Sequence, residues 1–168
     1  MEKVTIVRVG PAAEAFRIDH ARFQRLQAAN KGRLARLTGE ADEKEAQYGK
    51  EIRELEKRAK TTESGLKYVV LREGAGDKPR PGQTIQAHYT GRFMDGRVFD
   101  TSRERGPFSF PVGKGRVIRG WDEALLDMRV GEKRALILPP GLAYGREGAG
   151  EGVIPPNATL FFEVERLK

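Results

Sequence analysis

Val117-Ile118-Arg119-Gly120-Trp121-Asp122-Glu123-Ala124-Leu125-Leu126-Asp127-Met128 is the stretch that decides how the rest of the chain is read. Trp121, the only tryptophan, falls with Ala124, Leu125 and Met128 at i, i+3, i+4 and i+7, the apolar stripe of an amphipathic helix. The helix therefore starts at the indole. Gly120 removes a Cβ beside it, so the chain can turn tightly there or another backbone can approach. Ahead of it, Val117 and Ile118 form an extended branched pair whose amides a turning chain can leave pointing outward. An aromatic floor with a free amide at its rim suits an apolar ligand bearing one carbonyl. On the residue alone, a plain core tryptophan is the commoner outcome.

The sequence on both sides of this helix has a period of two. Residues 83–93 read as a long strand with Ile85, Ala87, Tyr89 and Gly91 on one face and Thr84, Gln86, His88 and Thr90 on the other. Asp95-Gly96 signals a hairpin returning into Val98-Phe99-Asp100. Residues 66–71, 108–110, 133–138 and 159–167 read as further strands, and a Gly- and Pro-rich loop fills 139–156. The expected class is α+β, a twisted antiparallel sheet over one short helix, preceded by a helical extension. Phe110, Leu125, Leu136 and Leu160 are expected in the core. His88 alternates away from Tyr89 and is expected to face outward.

The sequence before residue 61 has a different composition. Most of the 20 glycines and 9 prolines follow residue 60. Residues 3–9 read as extended and 12–30 as helical. A second helical run carries Leu34, Leu37, Ala41, Tyr48, Ile52, Leu55 and Ala59 at three- and four-residue steps, near a heptad seam that Lys44 and Glu51 interrupt. That stripe needs a cover: the first helix, a second subunit through 12–60, or a client protein. The division is set at 1–62 for the extension and 63–168 for the β domain.

Net charge is +7, and residues 1–37 hold eight basic side chains against three acidic ones. These charges are dispersed at helical spacing without a nucleic-acid motif, so a solvated helix face is expected and no nucleic-acid partner. Without cysteine there is no disulfide, thiol nucleophile or Cys-ligated zinc, and His20 and His88 are too few and too far apart for a histidine metal site. No metal and no cofactor are expected. No apolar run reaches membrane-spanning length and the first twenty residues lack a signal-peptide core, so a cytoplasmic protein is expected, or a periplasmic one if the chain is a processed form.

Six segments, in order, resemble the FKBP family of peptidyl-prolyl cis/trans isomerases over residues 66–168: His88-Tyr89-Thr90-Gly91, Asp95-Gly96-Arg97-Val98-Phe99-Asp100-Thr101-Ser102, Val117-Ile118-Arg119-Gly120-Trp121, Val130-Gly131-Glu132, Ala143-Tyr144-Gly145 and Ile154-Pro155-Pro156-Asn157-Ala158-Thr159-Leu160. The resemblance implies rotation of X-Pro bonds during protein folding, proline-containing polypeptide substrates and macrolide inhibitors. It implies a pocket of Tyr89, Phe99, Asp100, Arg105, Phe108, Val117, Ile118, Trp121, Tyr144, Ile154 and Phe162. Tyr89, Phe99, Asp100, Trp121 and Tyr144 are the implied catalytic set. Trp121 resembles the floor, Phe99, Phe108 and Phe162 the walls, and the Ile118 amide and Tyr144 hydroxyl the donors to ligand carbonyls. Asp100 is left between a role toward substrate and a structural partnership with Arg105. Residues 1–62 match no motif of the family.

Overall fold

The computed structural model describes residues 42–168. The extended segment expected at 3–9 and the helix expected over 12–30 lie outside the described residues, as does the front of the second helical run. Its remainder is a helix over residues 42–57, here α1. There follow β1 (Lys60–Thr61), β2 (Lys67–Arg72), β3 (Thr84–Phe93), β4 (Val98–Thr101), β5 (Phe108–Pro111), α2 (Arg119–Asp127), β6 (Lys133–Leu138) and β7 (Leu160–Arg166). The strands form one seven-stranded sheet in the order β1-β2-β6-β7-β3-β4, with β5 also paired to β3. Every pairing is antiparallel.

Period-two patterning sets what each face covers. Along β3, Ile85, Ala87 and Tyr89 point inward, and β7 sends Leu160, Phe162 and Val164 to the same side. There they meet Trp121, Ala124, Leu125 and Met128, the stripe of α2, in one continuous core. Phe110, Leu125, Leu136 and Leu160 are all buried in it, as expected.

The other face of the sheet is covered too. Ala135 and Ile137 of β6 and Phe161 of β7 form a second cluster with Ile52 of α1, flanked by Leu55, Val69 and Met94. Strand β6 is therefore buried at nearly every position and does not alternate between core and solvent. Of the three covers weighed for the helical stripe, none accounts for Ile52 and Leu55: they lie on the back of the chain's own sheet. Ile52 is 1% exposed, a burial that stabilises by roughly 1.5–3 kcal/mol. At the other end of the contact the Arg92 guanidinium lies 3.9 Å from the centre of the Tyr48 ring. A Cβ on Gly49 would stand 2.7 Å from the Asp95 carbonyl oxygen, so α1 touches the β3–β4 turn directly.

Sequence patterning also missed β1, which lies at the end of the stretch assigned to the helical extension. Thr62 and Ser64 just after it donate to the two oxygens of Glu123 on α2, each at 2.6 Å, which ties this segment to the helix.

Candidate active site

The site is assembled at the start of α2. Ile118 occupies the N-cap with φ −56° and ψ 145°, and no side chain caps the helix. Its own N–H meets no acceptor among the described residues. The approach to it is fixed by Asp122, whose carboxylate accepts the Gly113 N–H at 2.8 Å and the Gly115 N–H at 2.7 Å. An acidic residue in a first helical turn is favourable toward the helix dipole, and here it also pins the preceding loop. Gly120 next to Trp121 answers a steric need: a Cβ there would come within 2.6 Å of Leu138. It is a side chain of β6, not another backbone, that makes the closest approach.

Trp121 is fully buried within a set of rings. Tyr89 meets it edge-on at 4.9 Å between centroids and Phe162 at 5.4 Å, the T-shaped geometry that suits aromatic quadrupoles. Phe99 stands perpendicular to Phe162 at 5.5 Å. Phe108 stacks on Phe110 at 5.0 Å, and Phe110 lies 6.2 Å from Trp121. Gly91 permits this crowding, because a Cβ there would be 2.6 Å from the Phe99 ring and 2.9 Å from Phe162. Val117, Ile118 and Ile154 are buried in the same core, and Tyr144 packs against it half-buried.

A polar arrangement adjoins the rings. Tyr89 donates its hydroxyl to Asp100 Oδ2 at 2.6 Å, the Thr101 N–H donates to Asp100 Oδ1 at 2.8 Å, and Arg105 Nη2 donates to the same Oδ1. Arg105 Nη2 also reaches the Tyr89 oxygen at 3.1 Å and the Thr101 carbonyl at 3.0 Å. Three donors converging on one carboxyl group form the pattern of an ionised carboxylate. Burial, then the Asp100 charge and hydrogen bond, push the Tyr89 hydroxyl well above the ordinary phenol range, against a smaller opposing pull from Arg105. Burial first, then the charges of Tyr89 and Asp100, raise Tyr144 as well. Both phenols are therefore neutral donors at ordinary pH.

Tyr144 follows the single turn of 3-10 helix at Pro140–Leu142. Its loop is held by the Gly145 N–H to the Pro140 carbonyl at 2.8 Å and the Asn157 N–H to the Gly145 carbonyl at 2.9 Å. A bridge between Ala149 and Ile154 closes the remainder.

All eleven residues singled out in the sequence thus belong to one region, through ring contacts, the Asp100 network or the shared core. Of the two roles weighed for Asp100, the bond to Arg105 is present, and the carboxylate also orients Tyr89. His88 lies on the opposite face of β3, where its Nδ1 is 2.9 Å from Ser102 Oγ. Two residues of the site's frame escaped the sequence reading, Asp122 and Ser102. Ser102 Oγ accepts the Tyr89 N–H at 2.9 Å and is 2% exposed. The acidic first turn was a visible signal for Asp122, whereas a lone serine after a strand carries none.

A family model for the FKBP-type peptidyl-prolyl cis-trans isomerase matches residues 76–167. The chain belongs to the FKBP-type peptidyl-prolyl cis-trans isomerase family. FK506-binding protein 2 of Yarrowia lipolytica is 54% identical over 102 residues, covering 60% of this chain and 70% of that protein. FK506-binding protein 1 of Dictyostelium discoideum is 50% identical over 104 residues, covering 61% of this chain and 96% of that one. The peptidyl-prolyl cis-trans isomerase Fkbp12 of Drosophila melanogaster is 50% identical over 106 residues, covering 62% of this chain and 97% of the relative. The crystal structure of AtFKBP13 superposes with a TM-score of 0.64 at 40% identity, over 66% of this chain and 97% of that one. The FKBP match begins in the β2–β3 loop and takes in α2 and all the strands from β3 onward. Helix α1 precedes it. No helix among the described residues is long and apolar enough to cross a membrane.

Proposed function

We propose that residues 63–168 form the catalytic unit and accelerate rotation about X-Pro bonds of polypeptides during folding, by a non-covalent mechanism at Trp121. The observation that carries this reading is the Ile118 N–H, which meets no acceptor among the described residues at the edge of an otherwise apolar aromatic cluster. A buried donor without a partner costs about 1–3 kcal/mol, and a ligand carbonyl would recover it.

The barrier to be lowered is about 18–20 kcal/mol and arises from amide conjugation. No covalent bond need form or break. A prolyl ring against Trp121, walled by Phe99, Phe108 and Phe162, leaves water behind, which disfavours the planar and strongly dipolar amide. The Ile118 N–H and the Tyr144 hydroxyl hold the flanking carbonyls, while the fixed field of Asp100, oriented by Arg105 and Tyr89, favours the altered charge of the twisted form. Each ~1.4 kcal/mol of such preference gives a tenfold faster rate. The relatives named for FK506 binding support a macrolide of that kind as a competing ligand of the same pocket.

The test is a protease-free prolyl-peptide exchange measurement on the full chain and on its Trp121→Ala variant. Acceleration that the variant loses supports the reading. Exchange no faster than buffer, with peptides still bound, makes this a binding module and not an enzyme.

A further inference from the structure

A concave surface lies at the end of α2 away from the aromatic cluster. The N-terminal end of this helix supplies Ile118 and Trp121 to the aromatic cluster, and nine residues at 1.5 Å each carry the chain about 13 Å away from it. Beyond its C-terminus is a groove of about 770 Å³ lined by Lys78, Arg80, Arg129, Arg166, Lys168 and Asp77, among others. Five cationic side chains thus face one acidic side chain, that of Asp77.

How these cations are partnered matters more than their number. Arg166 is 2% exposed, yet among the described residues it bonds only to main-chain oxygens: Nη1 to those of Asp77 and Met128, each at 2.7 Å, and Nε to that of Lys168 at 3.2 Å. Its Nη2 has no hydrogen-bond partner among the described residues. Arg129 Nη1 bonds the Gly76 carbonyl at 3.2 Å, and the Arg80 guanidinium meets no acceptor among the described residues. The nearby Glu132 is taken up by Arg134 Nε and by the Arg129 N–H. Of the five, Lys78 alone has an ion pair with an acidic side chain among the described residues, that of Asp127. Among the described residues, Arg80, Arg129 and Arg166 make no ion pair with an acidic side chain and converge on one groove, where the charges of Asp77 and Glu132 offset part of their mutual repulsion.

We propose that this groove binds an acidic stretch of a polypeptide, with side-chain carboxylates taken by Arg80, Arg129 and Arg166. A planar guanidinium presents paired donors that match a carboxylate in bidentate fashion. Carbonyl bonds already fix Arg166, so little side-chain freedom remains to be lost on binding. No aromatic ring lines the groove, so it lacks the stacking platform on which single-stranded nucleic acids rest.

The experiment uses the full chain and a fluorescent, proline-free peptide of ten glutamates, with a ten-glutamine peptide as control and an RNA decamer as rival. Because the probe contains no proline, the result is independent of the isomerase reading. Expected are binding of the glutamate peptide, none of the glutamine peptide, and a loss of about tenfold or more in affinity in the R80E/R129E double variant. Both positions are exposed and outside the aromatic pocket, so prolyl-peptide exchange by the double variant should stay at the parent rate. Undiminished binding in R80E/R129E would assign the peptide to another basic surface and overturn the proposal. RNA held more tightly than the glutamate peptide, and lost in the same variant, would overturn its choice of ligand.

Discussion

Tyr144 is the residue on which the electrostatics of the pocket bear most directly. Its hydroxyl is buried and its ionisation pushed up, first by burial and then by the charges of Tyr89 and Asp100. Removing that hydroxyl in Tyr144→Phe should lower kcat/KM by about 2- to 13-fold, the worth of one neutral hydrogen bond. A fall in Tm without a fall in kcat/KM would make the hydroxyl structural. The pH profile follows from the same shifts. With both Tyr89 and Tyr144 raised above the ordinary phenol value, neither loses its proton between pH 6 and 9, and kcat/KM should be flat across that range. A drop toward pH 9 would mean that one of them titrates normally and stands in water. At this scale the sequence was informative where residue type carries chemistry. The aromatic set came from the family resemblance, which left Asp100 between substrate and Arg105, and the bonds of Ser102 and Asp122 to backbone amides depend on loop geometry that no spacing reveals.

Among the elements, α1 is the one whose role was least legible. Its apolar spacing showed that Tyr48, Ile52 and Leu55 share a side, but not what that side covers, because β6 and β7 look like strands with one buried face. The signal that was available is the run Ala135-Leu136-Ile137-Leu138, whose unbroken apolar character fits a strand buried on both faces. Gly49 gives a test whose sign is diagnostic. In an isolated helix, alanine is better than glycine by about 0.8–1.0 kcal/mol. Here the added Cβ would lie 2.7 Å from the Asp95 carbonyl oxygen, backbone that can yield only if the β3–β4 turn or the helix shifts. Gly49→Ala should therefore destabilise the chain by roughly 1–2 kcal/mol in urea unfolding. A stabilised variant would mean that α1 does not sit against this turn in solution. Because β4 follows the turn with Phe99 and Asp100, the same substitution should raise KM for a prolyl peptide more than it changes stability elsewhere in the sheet.

For the whole molecule, the strands that matter to the pocket are held from behind as well as from the front. Glu165 on β7 receives Arg72 at 2.7 Å from β2 and Arg103 at 3.0 Å from the loop after β4. The Arg72 hydrogen bond leads in holding its carboxyl below the ordinary 4.5, with partial burial opposing and Arg103 assisting. A carboxylate depressed on folding contributes stability that is fully present above the unfolded value and lost as pH falls through the folded one. Glu165→Gln should thus be less stable than the parent at pH 7, with the difference shrinking as pH falls below 4.5 and through the lowered folded value. The larger question is what α1 does for the sheet it covers. Deleting everything before residue 59 uncovers Ala135, Ile137 and Phe161, with Val69 and Met94 beside them, as one contiguous apolar patch. The loss of Ile52 and Leu55 from that patch removes roughly 3–6 kcal/mol of burial at the upper limit, enough to lower Tm on the order of ten degrees. The shortened chain should also associate through the bare face, since a patch of that kind on a small soluble domain seeks a second surface. Light scattering and thermal unfolding of residues 59–168 beside the full chain decide this. A truncated protein that is monomeric and equally stable would show that α1 is an appendage, whereas a larger, less stable one that still turns over prolyl peptides makes the helix a built-in cover for the back of the catalytic sheet.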